Sequence, residues 1–186
     1  MKYLKLNKYF VITLHIHAQL GSFERVVYLA EDVQGGTVVV KVNYRTGVLG
    51  FLNGGNYGLD DARKSFEWIK FNIKSFGGDE TKITLMGDGF GAVVSAALST
   101  IYPTEVSNVI LQSGSFSSPW GYNENPEATT NCVLKNTGMN GVEELKSADL
   151  FKILSSTKSC PEFPFGLFND GEILPQHPSK YRVFFC

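Results

Sequence analysis

The stretch Lys82-Ile-Thr-Leu-Met-Gly-Asp-Gly-Phe-Gly-Ala92 constrains this chain more than any other. A short apolar run breaks on alternating glycines and then continues with helical spacing, so it reads as strand, sharp turn, helix. Gly87, Gly89 and Gly91 suit a turn whose backbone takes positive φ or packs against a neighbour, because glycine alone does so without a Cβ penalty. Two chemistries use such a turn. One is the Gly-x-Ser-x-Gly nucleophile elbow, in which a strained strand-to-helix turn lifts a serine hydroxyl over the carboxyl edge of a sheet. Here Gly89 stands at the serine position. The other is the dinucleotide fingerprint Gly-x-Gly-x-x-Gly/Ala, matched in spacing by Gly87, Gly89 and Ala92. That reading needs an acidic residue about 20 positions on, at the end of the next strand. Gln112 and Ser113 stand there instead, and at least one strand and one helix precede this turn, so the dinucleotide reading is set aside.

The flanking pattern extends the same architecture. Thr37-Val-Val-Val-Lys-Val-Asn43 is a β-branched run of the kind buried in a parallel sheet. After a glycine-rich loop, apolar residues recur at Leu59, Ala62, Phe66, Ile69, Ile73 and Phe76, one stripe of an amphipathic helix over Leu59–Phe76. Gly77-Gly78 ends it where a left-handed cap is expected. The spacing then predicts a strand over Lys82–Met86, a small-residue helix over Gly91–Ile101 and a strand over Ser107–Gln112. Strands alternating with helices imply parallel pairing through right-handed crossovers, an α/β doubly wound sheet. Pro126–Lys135 and Val142–Leu154 read as helices. Beyond Ser155 the four prolines Pro161, Pro164, Pro175 and Pro178 indicate loop.

The N-terminal segment has two readings. Lys2, Lys5 and Lys8 before a short apolar run resemble a signal peptide over residues 1–18. Two histidines in that run, the absence of a small-residue cleavage site and the alternation over Val11–His17 favour a strand instead. No run approaches the ~18 apolar residues of a membrane span. A chain of 186 residues with 43% hydrophobic and 19% charged residues can bury one core, and one domain is the expectation. Its net charge of -1, without a dense Lys/Arg block, argues against nucleic acid as partner. Cys132, Cys160 and Cys186 lack CxxC spacing and a histidine cluster, so no metal site is expected, and nothing calls for a cofactor. Cys132 and Cys160 are either a disulfide of a secreted protein or two buried thiols; the thiol reading is preferred.

Read together, Asn43-Tyr-Arg-Thr-Gly-Val-Leu-Gly-Phe51, Gly55-Asn-Tyr-Gly-Leu-Asp-Asp61, Phe76-Gly-Gly-Asp79, Ile83-Thr-Leu-Met-Gly-Asp-Gly-Phe-Gly91, Gln112-Ser-Gly-Ser115 and Asp170-Gly-Glu-Ile-Leu-Pro175 form an ordered set. The set resembles the type-B carboxylesterase family, which includes cholinesterases and the neuroligin-type adhesion proteins. The resemblance implies a partial α/β-hydrolase fold, truncated at both ends relative to the family, with family sequence lying before Met1 and after Cys186. It also implies a secreted or cell-surface location.

The departures bear on activity. In the resembling esterases the elbow is Gly-Glu-Ser-Ala-Gly; Gly87, Asp88, Gly89, Phe90 and Gly91 stand here, so the nucleophile is gone. The family's His-Gly-Gly-Gly oxyanion loop corresponds to His17, Ala18, Gln19, Leu20 and Gly21, where side chains replace bare backbone. Phe90 keeps a backbone N–H after the nucleophile position. The family's acid and histidine lie beyond the Asp-Gly-x-x-Leu-Pro motif, outside this chain, and His177 does not match the histidine. Met139 and Glu144 stand where the family's short disulfide would be. The resemblance therefore implies a catalytically inactive member, with an extracellular protein as partner. Against it stand an ester hydrolase using a substitute nucleophile among Ser22, Ser95, Ser113 and Ser115, and a truncated remnant without function.

Overall fold

The computed structural model of the chain describes residues 10–14, 28–30, 37–160, 165–177 and 180–181. The loop His17–Gly21, His15, Ser22 and most of the signal-like segment lie outside these residues.

Five strands form one sheet: β1 (Phe10–Leu14), β2 (Tyr28–Ala30), β3 (Val38–Val42), β4 (Ile83–Asp88) and β5 (Val106–Gln112). Their order is β2-β3-β1-β4-β5. β1 lies parallel to β3 and β4, and β4 lies parallel to β5. The strand before the turn is therefore interior, with a neighbour on each side. β2 pairs antiparallel with β3 and was not foreseen; three residues are too short to show a period. Parallel strands require crossovers: α1 (Tyr57–Asn72) connects β3 to β4 on the far side of β1, and α2 (Phe90–Ile101) connects the neighbours β4 and β5. In β3 and β4 the burial of Val40, Val42, Ile83 and Leu85 fills the core, as the β-branched run required.

The helical stripe holds for five of its six positions. Leu59, Ala62, Phe66, Ile69 and Ile73 are essentially inaccessible, but Phe76 is 43% exposed. The expected helix Leu59–Phe76 stops at Asn72 and tightens into a 3-10 turn over Ile73–Phe76. With three residues per turn, the position three beyond Ile73 no longer follows the stripe. Gly77 then closes the turn in the left-handed conformation at φ 78°, as foreseen.

The residues fall into two compact units. The first comprises Met1–Tyr44, Asp61–Phe116 and Val183–Cys186, and carries the sheet. The second comprises Arg45–Asp60 and Ser117–Arg182. Its apolar cluster is Val48, Leu52, Val133, Leu145 and Ile153, drawn in part from α3 (Pro126–Thr137), α4 (Val142–Leu145) and α5 (Leu150–Ser156). Pro126 at the first position of α3, and Asn125 accepting the Ala128 N–H at 3.0 Å, explain where that helix begins.

Two expectations are corrected in this unit. Val142–Leu154 is not one helix: the Asp149 carboxylate accepts the Lys152 N–H at 3.0 Å and caps a new helix, so the chain turns between Leu145 and Leu150. Cys132 and Cys160 are not free thiols but a disulfide, with Cα atoms 5.9 Å apart. Burial of Val133 and Ile153 sets α3 beside α5, and Asn136 Nδ2 donates to the Ser156 carbonyl at 2.8 Å, so the sulfurs meet across 28 residues of sequence.

Candidate functional site

The turn after β4 is built from its two flanking glycines. A Cβ on Gly87 would overlap the Gly91 carbonyl and the Ala92 nitrogen, so glycine there lets the first turn of α2 close onto the strand. Gly89, at the expected nucleophile position, holds φ 54° and ψ -121°. That region is costly for any side chain, and it gives the turn its sharp strand-to-helix reversal. The Gly89 N–H donates to the Gln112 carbonyl at 2.9 Å, and the Gly89 carbonyl accepts the Ala92 N–H at 3.0 Å. Gly89 thus closes the β4–β5 ladder and starts α2. A Cβ built on it would meet nothing within 4 Å, so the space where a side chain would project is open. Asp88 beside it is exposed, Phe90 half-buried and Gly91 buried.

Of the alternative nucleophiles, Ser95, Ser113 and Ser115 are among the described residues. Ser95 is fully buried within α2, and among the described residues its Oγ has no hydrogen-bond partner to act as a base. Ser113 is exposed and follows β5 at φ 53°. His177 belongs to the second unit, where its Nε2 lies 3.1 Å from Glu124 Oε1 and its ring meets the Tyr122 ring edge-on at 4.5 Å.

The second unit contains a polar cleft of about 330 Å³, lined by Asn53, Asn56, Tyr57, Asp60, Asp170 and Glu172 among others. Asn56, 1% exposed, organises one wall. Its Nδ2 donates to the Phe168 carbonyl and to Asp170 Oδ2, each at 2.8 Å, and its Oδ1 accepts the Phe168 N–H at 3.2 Å. Asp170 Oδ1 accepts the N–H groups of Glu172 and Leu174 at 3.0 and 2.9 Å, closing the turn in which Gly171 takes φ 75°. Two of the quoted motifs, Gly55–Asp61 and Asp170–Pro175, are therefore one hydrogen-bonded knot.

The family model described as the carboxylesterase family matches residues 23–182. The chain belongs to the carboxylesterase family. Among this chain's carboxylesterase-family relatives, neuroligin-3 of Mus musculus is 32% identical over 160 residues, covering 77% of this chain and 19% of the relative. Bile salt-activated lipase of Rattus norvegicus is 37% identical over 138 residues, covering 68% of this chain and 22% of the lipase. The solved carboxylesterase EST55 of Geobacillus stearothermophilus superposes with a TM-score of 0.76 at 27% identity, over 92% of this chain and 42% of that one. The fold is accordingly part of an α/β-hydrolase, and the chain spans about a fifth of the curated relatives' length. The family relatives thus include a neuroligin and a lipase. The Asn56–Asp170 knot was not singled out as a site from sequence. Its signals are the glycines beside it, Gly54, Gly55 and Gly171, each with positive φ.

Proposed function

We propose that this carboxylesterase-family chain does not hydrolyse esters and serves as a protein-binding scaffold of the neuroligin type. One observation carries the reading: the elbow backbone is kept, with Gly89 at φ 54° between β4 and α2, while the residue at its apex has no side chain to attack a carbonyl. A strained turn held without a nucleophile has lost the step that the turn exists to perform, and fold alone carries no activity. The disulfide Cys132–Cys160 supports maturation in an oxidising compartment, as a cell-surface or secreted binding protein requires.

Two assays on the purified chain test it. Turnover of short-chain acyl esters should not exceed the buffer rate, and a serine-directed phosphonate probe should leave the chain unlabelled. Labelling at Ser22, Ser95, Ser113 or Ser115, with turnover above background, would replace this reading with the substitute-nucleophile one. For the binding role, the chain displayed to intact cells should retain a saturable cell-surface protein; binding that survives protease treatment of the cells would refute it.

A further inference from the structure

Four pairs of an asparagine or aspartate followed by glycine lie among the described residues: Asn53-Gly54, Asp88-Gly89, Asn140-Gly141 and Asp170-Gly171. Such a pair can cyclise, because the glycine nitrogen lies one five-membered ring away from the side-chain carbonyl carbon and no Cβ obstructs its approach. The fold restrains three of the four. At Asp88 the attacking nitrogen is occupied, since Gly89 N–H donates to the Gln112 carbonyl at 2.9 Å. At Asp170 the carboxylate is occupied: Oδ1 accepts the N–H groups of Glu172 and Leu174, and Oδ2 accepts Asn56 Nδ2. Asn53 sits in a turn pinned by Gly55 N–H on the Leu52 carbonyl at 3.2 Å, by its own N–H on Thr130 Oγ1 at 2.8 Å and by the Tyr57 hydroxyl on the Gly54 carbonyl at 3.0 Å. Asn140 differs. It is exposed, in the link between α3 and α4, and its N–H donates to Glu144 Oε2 at 3.2 Å while the Gly141 carbonyl accepts the Glu144 N–H at 3.1 Å. Among the described residues no hydrogen bond holds the two groups that would react, the Asn140 amide and the Gly141 N–H.

We propose that Asn140-Gly141 is the chain's preferred site of spontaneous deamidation. The Gly141 nitrogen attacks the Asn140 side-chain carbonyl carbon and gives up its proton; the new C–N bond closes a succinimide, the Cγ–Nδ2 bond breaks, and the amide nitrogen leaves as ammonia. Water then opens the ring at one of its two carbonyls, giving aspartate or isoaspartate, with no change of oxidation state. The reactants are adjacent residues, so water is the one co-reactant, and the bonds that rank the four pairs all lie within this chain. Either product adds a carboxylate beside Glu143 and Glu144. Isoaspartate also lengthens the backbone by a methylene just ahead of α4, whose Leu145 lies in the second unit's apolar cluster. This goes beyond the proposed function and does not depend on loss of esterase chemistry.

The test ages the full chain at mildly alkaline pH, folded and in concentrated urea, and maps its peptides by mass spectrometry, with isoaspartate marked by an isoaspartate methyltransferase. In the folded chain Asn140 should convert at least tenfold faster than Asn53, with Asp88 and Asp170 slower still; in urea the two asparagines should converge, because the fold and not the dipeptide sets their order. Gly141→Ala should slow conversion at Asn140 at least tenfold and leave the far-ultraviolet circular dichroism unchanged, since Gly141 has extended backbone at φ -163° and a Cβ there meets nothing within 4 Å. Should that variant lose its circular dichroism, Asn140→Gln blocks the same ring closure, because a five-membered ring no longer forms. Folded chain in which Asn53 converts as fast as Asn140, or in which Asn140 stays intact while the urea sample converts, would overturn the proposal. So would an excess at Asn140 that persists undiminished in urea, or one that both variants leave unchanged.

Discussion

Gly89 donates its backbone N–H to the Gln112 carbonyl at 2.9 Å while passing through φ 54° and ψ -121°. One bond thus ties the apex of the elbow to the end of the neighbouring strand, and the turn keeps its shape from backbone alone. A side chain contributes nothing to that geometry.

The close approach inside the elbow gives the first stability expectation. Gly87→Ala would drive a methyl group into the Gly91 backbone, which is helix and cannot move aside alone. The cost should be about 3 kcal/mol, at the upper end of the overpacking range. Urea denaturation should show it as a lower midpoint with the slope retained.

The Asn56–Asp170 knot gives the second. Asn56→Ala removes both Asn56 Nδ2 bonds and the acceptor for the Phe168 N–H, leaving buried backbone groups without partners. A loss of about 3 kcal/mol is expected. Asn56→Asp should also destabilise, since it keeps the acceptor but sets a carboxylate against Asp170. Thermal melts of the two variants beside the parent measure both.

What the sequence disclosed and withheld follows from the range of each interaction. β3, β4, α1, α2 and β5 were legible because their apolar periods are local, and the quoted motifs fixed their order. The 3-10 turn at Ile73–Phe76 was hidden, because a stripe spaced 3 and 4 fits either helix until a side chain is seen to leave it. The helix break before Leu150 was carried by a single cap, Asp149. The pairing of Cys132 with Cys160 depends on α3 packing beside α5, which no spacing encodes. At the candidate site, the identity of Gly89 was readable but its torsion was not, and the Asn56–Asp170 bond spans 114 residues of sequence.

Reduction of the Cys132–Cys160 bond gives the third expectation. Opening a loop of 28 residues should cost about 3.5 kcal/mol in chain entropy. The Cys132→Ser, Cys160→Ser double variant should show that loss, and a reductant should lower the melting temperature of the parent but not of the double variant.

The fourth concerns alkaline pH. Burial, and next the hydrogen bond to Glu67, push the Tyr102 phenol up to about 12. In the unfolded chain it titrates near its ordinary value of about 10. The folded state therefore holds this proton more tightly, and its contribution is present in full below about pH 10 and is lost as pH rises through about 12. Burial raises the Tyr44 phenol in the same direction. The denaturation midpoint should fall across that window, and Tyr102→Phe should fall less steeply than the parent.

We propose that this chain departs from the esterases at the oxyanion loop as well as at Gly89, so that a serine alone does not restore hydrolysis. Gly89→Ser tests it directly, because the open space at Gly89 admits a side chain and the remaining obstacle is the φ of 54°. A serine hydroxyl attacks only when a positioned base takes its proton, and in a serine protease the loss of the serine or the histidine alone costs about as much as the loss of the whole triad, roughly 10⁶-fold. The measurement is the rate of short-chain acyl ester hydrolysis by folded Gly89→Ser, beside the parent and a buffer blank. Rates indistinguishable from the blank for both proteins are the expected result; saturable turnover by Gly89→Ser, abolished by a serine-directed phosphonate, would contradict it.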